Sequence, residues 1–436
     1  MFQKSLVSNL LLQLYPINRS ITGQGYRKSL QVLKKYIPLV DIIYMSGEKV
    51  FDWTIPLEWN ISDGYLLTPL GEKIAKLSDH SLHIMNYSTP INKKMSFKEL
   101  DKHLYTLKKV PNAIPYVHSY YKKNWGFCLK YNQYKKLSRK GKYTAYINSS
   151  LEKGKMITSD LLIKGKSKKE IMFSTYLCHP QLANHELSGP IMMILLYKFI
   201  KNLKKTNYSY RFLICPENIG SLAYLKKRGR YLKENLECGL ILNLLANGNY
   251  FTYKKSKSGN SIIDRVVINI FKHNNKKIKY VDFFPDGSDE RQFSSPGFNL
   301  DFSSLMRKMY ENLTMPNHKY KEYHTSLDNI KFFKLNQFEE TYKIYTEIID
   351  TLELNFKPKA KIKYGTPQLN KYDESLYPSK MNFSAEPRKQ YIRVMLEILN
   401  LSDGKTDLID IANKKNFKLT DYKNLIYKLL KNKLIK

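Results

Sequence analysis

Between residues 160 and 350, short apolar runs alternate with helical segments, and this alternation constrains the fold more than any other feature. IMFSTYL (171–177) and YRFLIC (210–215) have the length and composition of buried strands, and GLILNLL (239–245) fits a third. Between the first two lies PIMMILLYKFI (190–200), a helical segment that is apolar on all sides. Strands that alternate with helices predict a parallel sheet covered by helices on both faces.

The rest of the chain has a different character. Residues from about 51 to 155 contain short alternating runs rich in aromatic residues, such as YVHSYY and WGFCLKY, which predict β structure. Residues from about 357 to 384 are rich in Pro, Lys and Tyr and predict a surface linker. The last 50 or so residues predict three short helices, the third with Thr420 as its N-cap, and this pattern is typical of a winged-helix or helix-turn-helix unit.

The charge balance is strongly basic, with 73 Lys and Arg against 38 Asp and Glu and a net charge of +35. Such a charge fits a nucleic acid or another polyanion as partner. However, only 11 of the 73 basic residues are arginine, which binds phosphate better than lysine does. The lysines are scattered, and the chain is also rich in Ile, Asn and Tyr, so drift in an AT-rich genome explains the charge better than nucleic-acid binding.

Composition also limits where the protein works. Hydrophobic residues make up 42% and charged residues 25%, which is ordinary globular usage and excludes a disordered chain, a collagen or a disulfide scaffold. No apolar run reaches the ~18 residues of a membrane span, so no membrane partner is expected. The first 20 residues lack a small-residue cleavage site and predict a helix of the fold. Four cysteines without a CxxC pair indicate a reduced, cytoplasmic protein.

Residues that could bind a metal ion follow the first predicted strand. STYLCHPQLANHELSGP (174–190) contains His179, His185 and Glu186 and leads into the apolar helix. In open α/β sheets, ligands bind beyond the carboxyl ends of the strands. A single loop histidine is more often solvated or hydrogen-bonded, but two of them beside a glutamate at a strand end favour a metal site.

Three further segments carry reactive side chains. One glutamate after a strand is often only a partner of the next helix dipole, and each segment alone is a weak signal. Together they supply imidazole, carboxylate and guanidinium groups. Zinc-dependent hydrolysis needs such a set: about three N or O ligands, an open position for water and a carboxylate that takes its proton. The segments are CPENIGS (215–221) with Glu217, PDGSDERQF (285–293) with Asp289, Glu290 and Arg291, and KEYHTSLDN (321–329) with His324 and Asp328.

Nine stretches in order along nearly the whole chain carry a resemblance to a known family. They are RSITGQGYRKSL (19–30), FDWTIPLEWNI (51–61), SYYKKNWGFCL (119–129), CHPQLANHELSG (178–189), RFLICPENIGSLAYL (211–225), FTYKKSKSG (251–259), GSDERQFSSPGFNL (287–300), EYHTSLDN (322–329) and LNLSDGKTDLIDIA (399–412). With them the chain resembles bacterial proteins that combine an aminopeptidase-like domain with a C-terminal winged helix, often called polysaccharide biosynthesis proteins with an aminopeptidase-like domain.

This resemblance implies a fold and a domain organisation. The expected class is α/β, with a zinc-aminopeptidase-like mixed sheet flanked by helices, a β-rich insert domain and a C-terminal winged helix. The implied domains are an aminopeptidase-like catalytic domain over 1–55 and 156–356, the insert over 56–155, a linker over 357–384 and the winged helix over 385–436.

The wider zinc-aminopeptidase superfamily also implies roles for individual residues. His179 matches its first metal-binding histidine, His324 its last, and Glu217 its general base. His185 stands where the superfamily has an aspartate that bridges two metals, and Asn218 stands where it has a carboxylate ligand. Imidazole bridges two metals far less readily than a carboxylate does, so about one zinc ion per chain is expected.

The predicted function is a zinc-dependent, cytoplasmic hydrolase of the aminopeptidase-like class, which cleaves a peptide or other amide bond and has the role in surface-polysaccharide biosynthesis that the family name implies. Its partner would be a peptide or amide-containing small substrate, and homo-oligomerisation is left open. Two alternatives remain: a catalytically inactive metal- or ligand-binding protein, and a nucleic-acid-binding regulator that acts through the winged helix. Glu186 is a further candidate zinc ligand, and the candidate substrate-binding residues are Asp289, Glu290, Arg291 and Tyr323.

Overall fold

The structure is a computed structural model that describes most of the chain. The described residues are 2–308, 321–373, 376 and 386–436. They form two compact units, the first made of Met1–Lys257 with Lys279–Tyr342 and the second of Ser258–Ile278 with Lys343–Lys436. All candidate site residues lie in the first unit. The predicted linker over 357–384 lies partly outside the described residues, and the predicted domain boundaries remain predictions.

Helices and strands are numbered in chain order over the described residues. The helices are α1 (Lys4–Leu14), α2 (Gln24–Lys34), α3 (Phe97–Leu100), α4 (Tyr131–Tyr134), α5 (Ser188–Asn202), α6 (Ile219–Asn235), α7 (Ile262–Lys272), α8 (Glu290–Phe293), α9 (Leu335–Leu354), α10 (Glu386–Leu401), α11 (Leu408–Lys415) and α12 (Lys423–Lys431). The strands are β1 (Val40–Met45), β2 (Lys49–Val50), β3 (Trp53–Thr54), β4 (Glu58–Leu67), β5 (Lys73–Ile74), β6 (Ile91–Ser96), β7 (Leu104–Tyr105), β8 (Phe127–Cys128), β9 (Lys142–Glu152), β10 (Lys155–Ile163), β11 (Glu170–Tyr176), β12 (Ser209–Cys215), β13 (Leu236–Ile241), β14 (Phe251–Lys254), β15 (Ile278–Val281) and β16 (Phe302–Arg307).

A mixed sheet of eight strands forms the centre of the first unit. Its order is β1-β10-β12-β11-β13-β16-β14-β15. The four middle strands β12, β11, β13 and β16 are parallel, as the alternating sequence predicts, while β10 and β14 join antiparallel on either side. Every residue of β11 and of β12 is buried, because helices cover both faces of the sheet.

One predicted strand is too long. The prediction extended it over residues 239–245, but β13 ends at Ile241. Leu244 has a left-handed backbone with φ of 54°, which turns the chain out of the strand. The apolar run continues because Leu242, Leu244 and Leu245 are buried behind the sheet end.

A smaller antiparallel sheet lies within the first unit, and its strands come between β3 and β10 in the sequence. Its order is β5-β4-β9-β6, and its long pair β4 and β9 extends from Glu58 opposite Glu152 to Leu67 opposite Thr144, with a shift of register between Ile61 and Asp63. The sheet has its own apolar core, which includes Leu66, Phe127 and Ala145. The β-rich prediction for this part of the sequence is therefore confirmed, although the run YVHSYY (116–121) forms no strand and contributes only one isolated bridge, between His118 and Asn86.

The second unit is helical. Helix α11 packs against α7 and α10, and Arg265 of α7 donates to both carboxylate oxygens of Asp407 at 2.9 and 2.8 Å. Asp407 also caps α11 by accepting the N–H of Asp410. The predicted N-cap Thr420 is wrong, because α12 begins three residues later and Tyr422 occupies the cap position. Within the described ranges, no helix has the length and apolar character needed to cross a membrane.

Candidate metal centre

The first two candidate ligands lie in the loop between β11 and α5. After β11 the chain passes His179, forms one π-helical turn over Ala183–Leu187, and enters α5. Such turns are rare and are frequently found at functional sites. A Cβ atom on Gly189 would lie 2.1 Å from Thr175 Oγ1 and 2.2 Å from Leu242 O, so only glycine lets α5 start this close to the sheet.

A buried aspartate fixes the π-helical turn to the segment that carries His324. The carboxylate of Asp328 accepts the N–H groups of Asn184 at 2.7 Å and His185 at 2.8 Å, and its backbone carbonyl accepts that of Ala183. Burial raises the pKa of Asp328 to about 7, although these backbone N–H groups favour the charged form. The contact holds two loops that are far apart in sequence in one position.

Three imidazole rings meet at this place. His179, His185 and His324 each offer a ring nitrogen, and these nitrogens all lie within 4.8 Å of one another. The ring centroids are 4.7 to 5.2 Å apart. His185 Nδ1 and His324 Nε2 are buried and have no hydrogen-bond partner among the described residues. The structure thus brings together the three histidines that the sequence analysis selected.

Glu186 orients the first of these histidines. Its carboxylate binds His179 twice, at 2.7 Å to Nδ1 and at 2.9 Å to the backbone N–H. The Nε2 atom on the other side of the ring then remains for a ligand, and it lies 3.7 Å from the carboxylate of Glu217. The fully buried Arg19 donates to the backbone carbonyl of His179 at 3.1 Å and so fixes the loop from behind.

Tyr176 holds His185 in place. Its hydroxyl lies 2.9 Å from His185 Nε2 and accepts a hydrogen bond from Asn243 Nδ2 at 3.1 Å. In the tautomer that carries its proton on Nε2, His185 donates to this hydroxyl and keeps a lone pair on Nδ1. The side-chain amide of Asn243 thus helps to hold the tyrosine hydroxyl in place.

Burial keeps two of the three imidazoles neutral. It lowers the pKa of His185 and of His324 well below 6.5, and the neighbouring imidazoles add to this effect. Burial lowers the pKa of His179 too, but Glu186 and Glu217 outweigh it and raise that pKa above the ordinary value. Neutral imidazole is the form that binds a metal ion, so the environment of His185 and His324 favours metal binding.

Glu217 follows β12 and lies at the edge of the site. Its backbone N–H donates to Cys178 Sγ at 3.4 Å, and its side chain is 18% exposed. Burial raises the pKa of Glu217 to about 7; His179 opposes this rise and Asp289 adds to it. A carboxylate with such a pKa can both accept and return a proton near neutral pH.

The next residue, Asn218, is engaged with protein groups. Its side-chain oxygen accepts hydrogen bonds from Arg291 Nε at 3.1 Å, Arg291 Nη2 at 2.9 Å and Gln292 Nε2 at 3.0 Å. Its backbone is left-handed with φ of 62°, a strained conformation that these contacts stabilise. An oxygen with three donors around it is poorly placed to bind a second metal ion.

Asp289 and Glu290 are fully buried on the same side of the site. Asp289 accepts the N–H of Asn218 at 2.6 Å and the hydroxyl of Ser221 at 2.8 Å. Glu290 forms an ion pair with the equally buried Lys254 at 2.7 Å. Their predicted role in substrate binding remains a prediction, and the contacts found here are with the protein.

Aromatic residues of the loop between β7 and β8 contact the histidines, and the sequence analysis did not select them as site residues. The ring of Tyr116 lies edge-on to His179 and to His324, and its backbone N–H donates to His324 O at 2.8 Å. His118 stacks on Tyr120 with centroids 4.2 Å apart. Tyr116, His118 and Tyr120 all lie in the run YVHSYY (116–121). The signal in the sequence that could have identified them is a histidine among alternating aromatic residues. Tyr323, which was predicted, stacks on His324 at 3.9 Å.

Comparisons with known proteins identify relatives over the whole length. Residues 8–355 match the profile of DUF4910, a domain of unknown function, and residues 357–436 match a winged helix-turn-helix profile. The second match confirms the predicted winged helix.

A protein from Clostridium acetobutylicum, named as a polysaccharide biosynthesis protein with aminopeptidase-like domain, is 40% identical over 99% of this chain and 96% of its own. A crystal structure of a peptidase-like protein from the same organism has a TM-score of 0.89 at 38% identity, again over 99% and 96% of the two chains. The zinc aminopeptidase BSAP from Bacillus subtilis aligns over 80% of this chain and 95% of its own, with a TM-score of 0.55 at 13% identity. These likenesses confirm the predicted aminopeptidase-like α/β fold.

Proposed function

This chain belongs to the DUF4910 family of proteins with an aminopeptidase-like domain, and we propose that it is a zinc-dependent hydrolase of a peptide or other amide bond. The observation that carries this proposal is the pair of buried nitrogens, His185 Nδ1 and His324 Nε2, without a hydrogen-bond partner in the described ranges. Buried polar atoms normally find a partner, and one left without it costs free energy. A metal ion bound to both nitrogens removes that cost.

The donor set fits one zinc ion. Tetrahedral zinc with ~2.0–2.1 Å bonds holds its nitrogens about 3.4 Å apart, so atoms within 4.8 Å of each other need only a small shift. The three ligands would be His179, His185 and His324, with Glu186 as the carboxylate that orients His179. A second metal is disfavoured, because Asn218 supplies a neutral oxygen that Arg291 and Gln292 already occupy.

A zinc ion held there would supply a bound water with a pKa near ~7 and would polarise the scissile carbonyl. In the proposed mechanism, the carboxylate of Glu217 accepts the proton of the attacking water and returns it to the leaving nitrogen. The position of Glu217, 3.7 Å from His179 Nε2, and its pKa of about 7 support this role. Tyr323 and Arg291 would orient the substrate beside it.

The name of the relative adds a second class of substrate. It refers to polysaccharide biosynthesis, which includes sugars with N-acyl groups, and an amide on an amino sugar is chemically equivalent to a peptide bond for this site. We therefore include such amides in the proposal, together with a role in surface-polysaccharide biosynthesis in the cytoplasm.

A second candidate function is metal binding without catalysis. The hydrogen bonds from Arg291 and Gln292 to Asn218 favour it, since they occupy one side of the site with protein contacts. Bound zinc combined with no turnover of any amide would make this the better description.

Elemental analysis of the purified full chain tests the metal proposal. We expect about one zinc per chain, and loss of most of it in His185→Ala and in His324→Ala. His103→Ala is the matched control, because that ring stacks on Trp125 far along the chain from the three histidines. Two tightly held zinc ions would contradict the single site, and no zinc after incubation with excess metal would contradict the proposal as a whole.

A further inference from the structure

The carboxylates beside Glu217 are poor partners for a substrate ammonium group. A peptide that is cleaved from its amino end carries such a cation next to the scissile bond, and binding it requires a carboxylate with accessible oxygens. Asp289 and Glu290 are both fully buried and bind the protein itself, the first to Asn218 and the second to Lys254. The exposed Asp286 lies 4.0 Å from a cation of the protein, the guanidinium of Arg291.

Arg291, in contrast, is a partly exposed cation that can bind a substrate anion. Its Nε and Nη2 atoms donate to the oxygen of Asn218, a neutral amide that fixes the guanidinium without cancelling its charge. Its side chain is 33% exposed, and within the described ranges the only ion pair of its Nη1 is the distant contact with Asp286 at 4.0 Å. A guanidinium that is held in place and partly open to solvent is well suited to bind a carboxylate, because its planar geometry matches two oxygens at once.

This guanidinium lies next to the proposed reaction centre. Asn218, which it binds, directly follows Glu217. The carboxylate of Glu217 lies 3.7 Å from Nε2 of His179, one of the three histidines. An anion bound to Arg291 would therefore lie beside an amide held at the histidines.

The charge of the whole chain acts in the same direction. A net charge of +35 attracts anions and repels cations over distances comparable to the Debye length. A substrate with a free ammonium group and no anion would approach against this field, whereas a carboxylate would be concentrated by it.

We propose that the site selects amides that carry a carboxylate near the scissile bond, rather than amides with a free ammonium group, and that Arg291 binds this carboxylate. The inference rests on the proposed function and names the substrate class of the same site. Asn218 has a defined role in this proposal. Its neutral amide oxygen positions the guanidinium of Arg291, whereas a carboxylate at the same place would neutralise the charge of that guanidinium.

The test uses the zinc-loaded full chain and two matched probes. N-acetyl-L-alanine has the carboxylate and no ammonium group, and L-alanine amide has the ammonium group and no carboxylate. Calorimetry measures the equilibrium binding of each probe, and product formation measures turnover. We expect the wild type to bind N-acetyl-L-alanine at least about tenfold more tightly than L-alanine amide.

Three variants separate a binding role of Arg291 from a purely structural one. Arg291→Gln should weaken the binding of N-acetyl-L-alanine by about 10–100-fold. It should change the affinity for L-alanine amide by no more than about twofold and should keep the zinc content. Arg291→Lys should restore part of the loss, because it keeps the charge but not the planar fork. Arg230→Gln, which removes a cation with a side chain 97% exposed, should change neither affinity.

Binding and turnover give distinguishable failures. Tighter binding of L-alanine amide, or an equal loss for both probes in Arg291→Gln, would overturn the inference even if the enzyme hydrolyses amides. Selective binding of N-acetyl-L-alanine through Arg291 without turnover would support the anion site and count against the proposed hydrolysis.

Discussion

The two sides of the site use their polar groups in opposite ways. On the histidine side, His185 Nδ1 and His324 Nε2 are buried without a partner in the described part of the chain. On the other side, Asn218, Asp289 and Arg291 are joined by hydrogen bonds within the protein. Since buried polar atoms are nearly always satisfied, the two free nitrogens mark where a metal ion belongs, whereas the largely satisfied side is held by protein contacts and leaves the exposed part of Arg291 for substrate. Residue type alone would have assigned both sides to metal and substrate.

Removing the proposed base should have the largest effect. Glu217→Gln keeps the size of the side chain but cannot accept a proton, so we expect hydrolysis to fall by about 10²–10⁴-fold while zinc content stays the same. Turnover of N-acyl amino acids and N-acyl amino sugars, together with elemental analysis, measures both quantities.

Glu234→Gln serves as the control for Glu217→Gln, because that glutamate is on the surface of α6 with its side chain 64% exposed. If the wild type hydrolyses a substrate and Glu217→Gln hydrolyses it equally well, the histidine side holds a metal without this base, and the proposed mechanism is wrong.

The second prediction concerns the satisfied side. Glu290→Gln removes the carboxylate that pairs with the fully buried Lys254, and breaking a buried pair by removing one charge costs about 3–5 kcal/mol of the free energy of unfolding. Denaturant unfolding measures this change. Glu234→Gln disrupts only the exposed pair with Arg230 and should cost less than about 0.5 kcal/mol. A stable Glu290→Gln protein with altered substrate preference would mean that Glu290 faces substrate after all.

The smallest effect is expected for a change in Glu186, whose carboxylate is hydrogen-bonded to the proposed zinc ligand His179. Glu186→Gln replaces the charged acceptor at His179 Nδ1 by a neutral amide, and such changes behind a ligand weaken metal binding by about 10–100-fold. Competition with a chelator measures the affinity. Complete loss of zinc, comparable to that in His324→Ala, would indicate that Glu186 is itself a ligand, as the sequence analysis allowed.

The fold was predictable to the extent that local pattern determines it. The buried strands β11 and β12 and the apolar helix α5 followed from their composition, because both strands are buried throughout and α5 is buried from Ser188 to Leu196. The end of β13 did not, since the apolar run continues through Leu242–Leu245 after the backbone has turned. The start of α12 was also wrong, because a single turn over Leu419–Tyr422 precedes it.

The sequence was sufficient to predict which residue types form the site, but not most of the contacts between them. The histidines could be selected because the strand ends of a parallel sheet meet at one edge. The role of Asp328 could not be predicted, because the two backbone N–H groups that donate to its carboxylate, those of Asn184 and His185, lie 144 and 143 residues before it in the sequence. Tyr116 reaches the histidines from the loop between β7 and β8, and no periodicity in the sequence indicates such a contact.

The contact between Asp328 and the π-helical turn can form only late in the synthesis of the chain. His185 leaves the ribosome 143 residues before its partner, which takes roughly 7–30 s at ~5–20 residues per second. During that time the first two histidines are available without the third, and a metal ion can hold them only in an open, incomplete geometry. The native site therefore closes after synthesis of the first unit is nearly finished, so metal loading would follow translation and would not guide it.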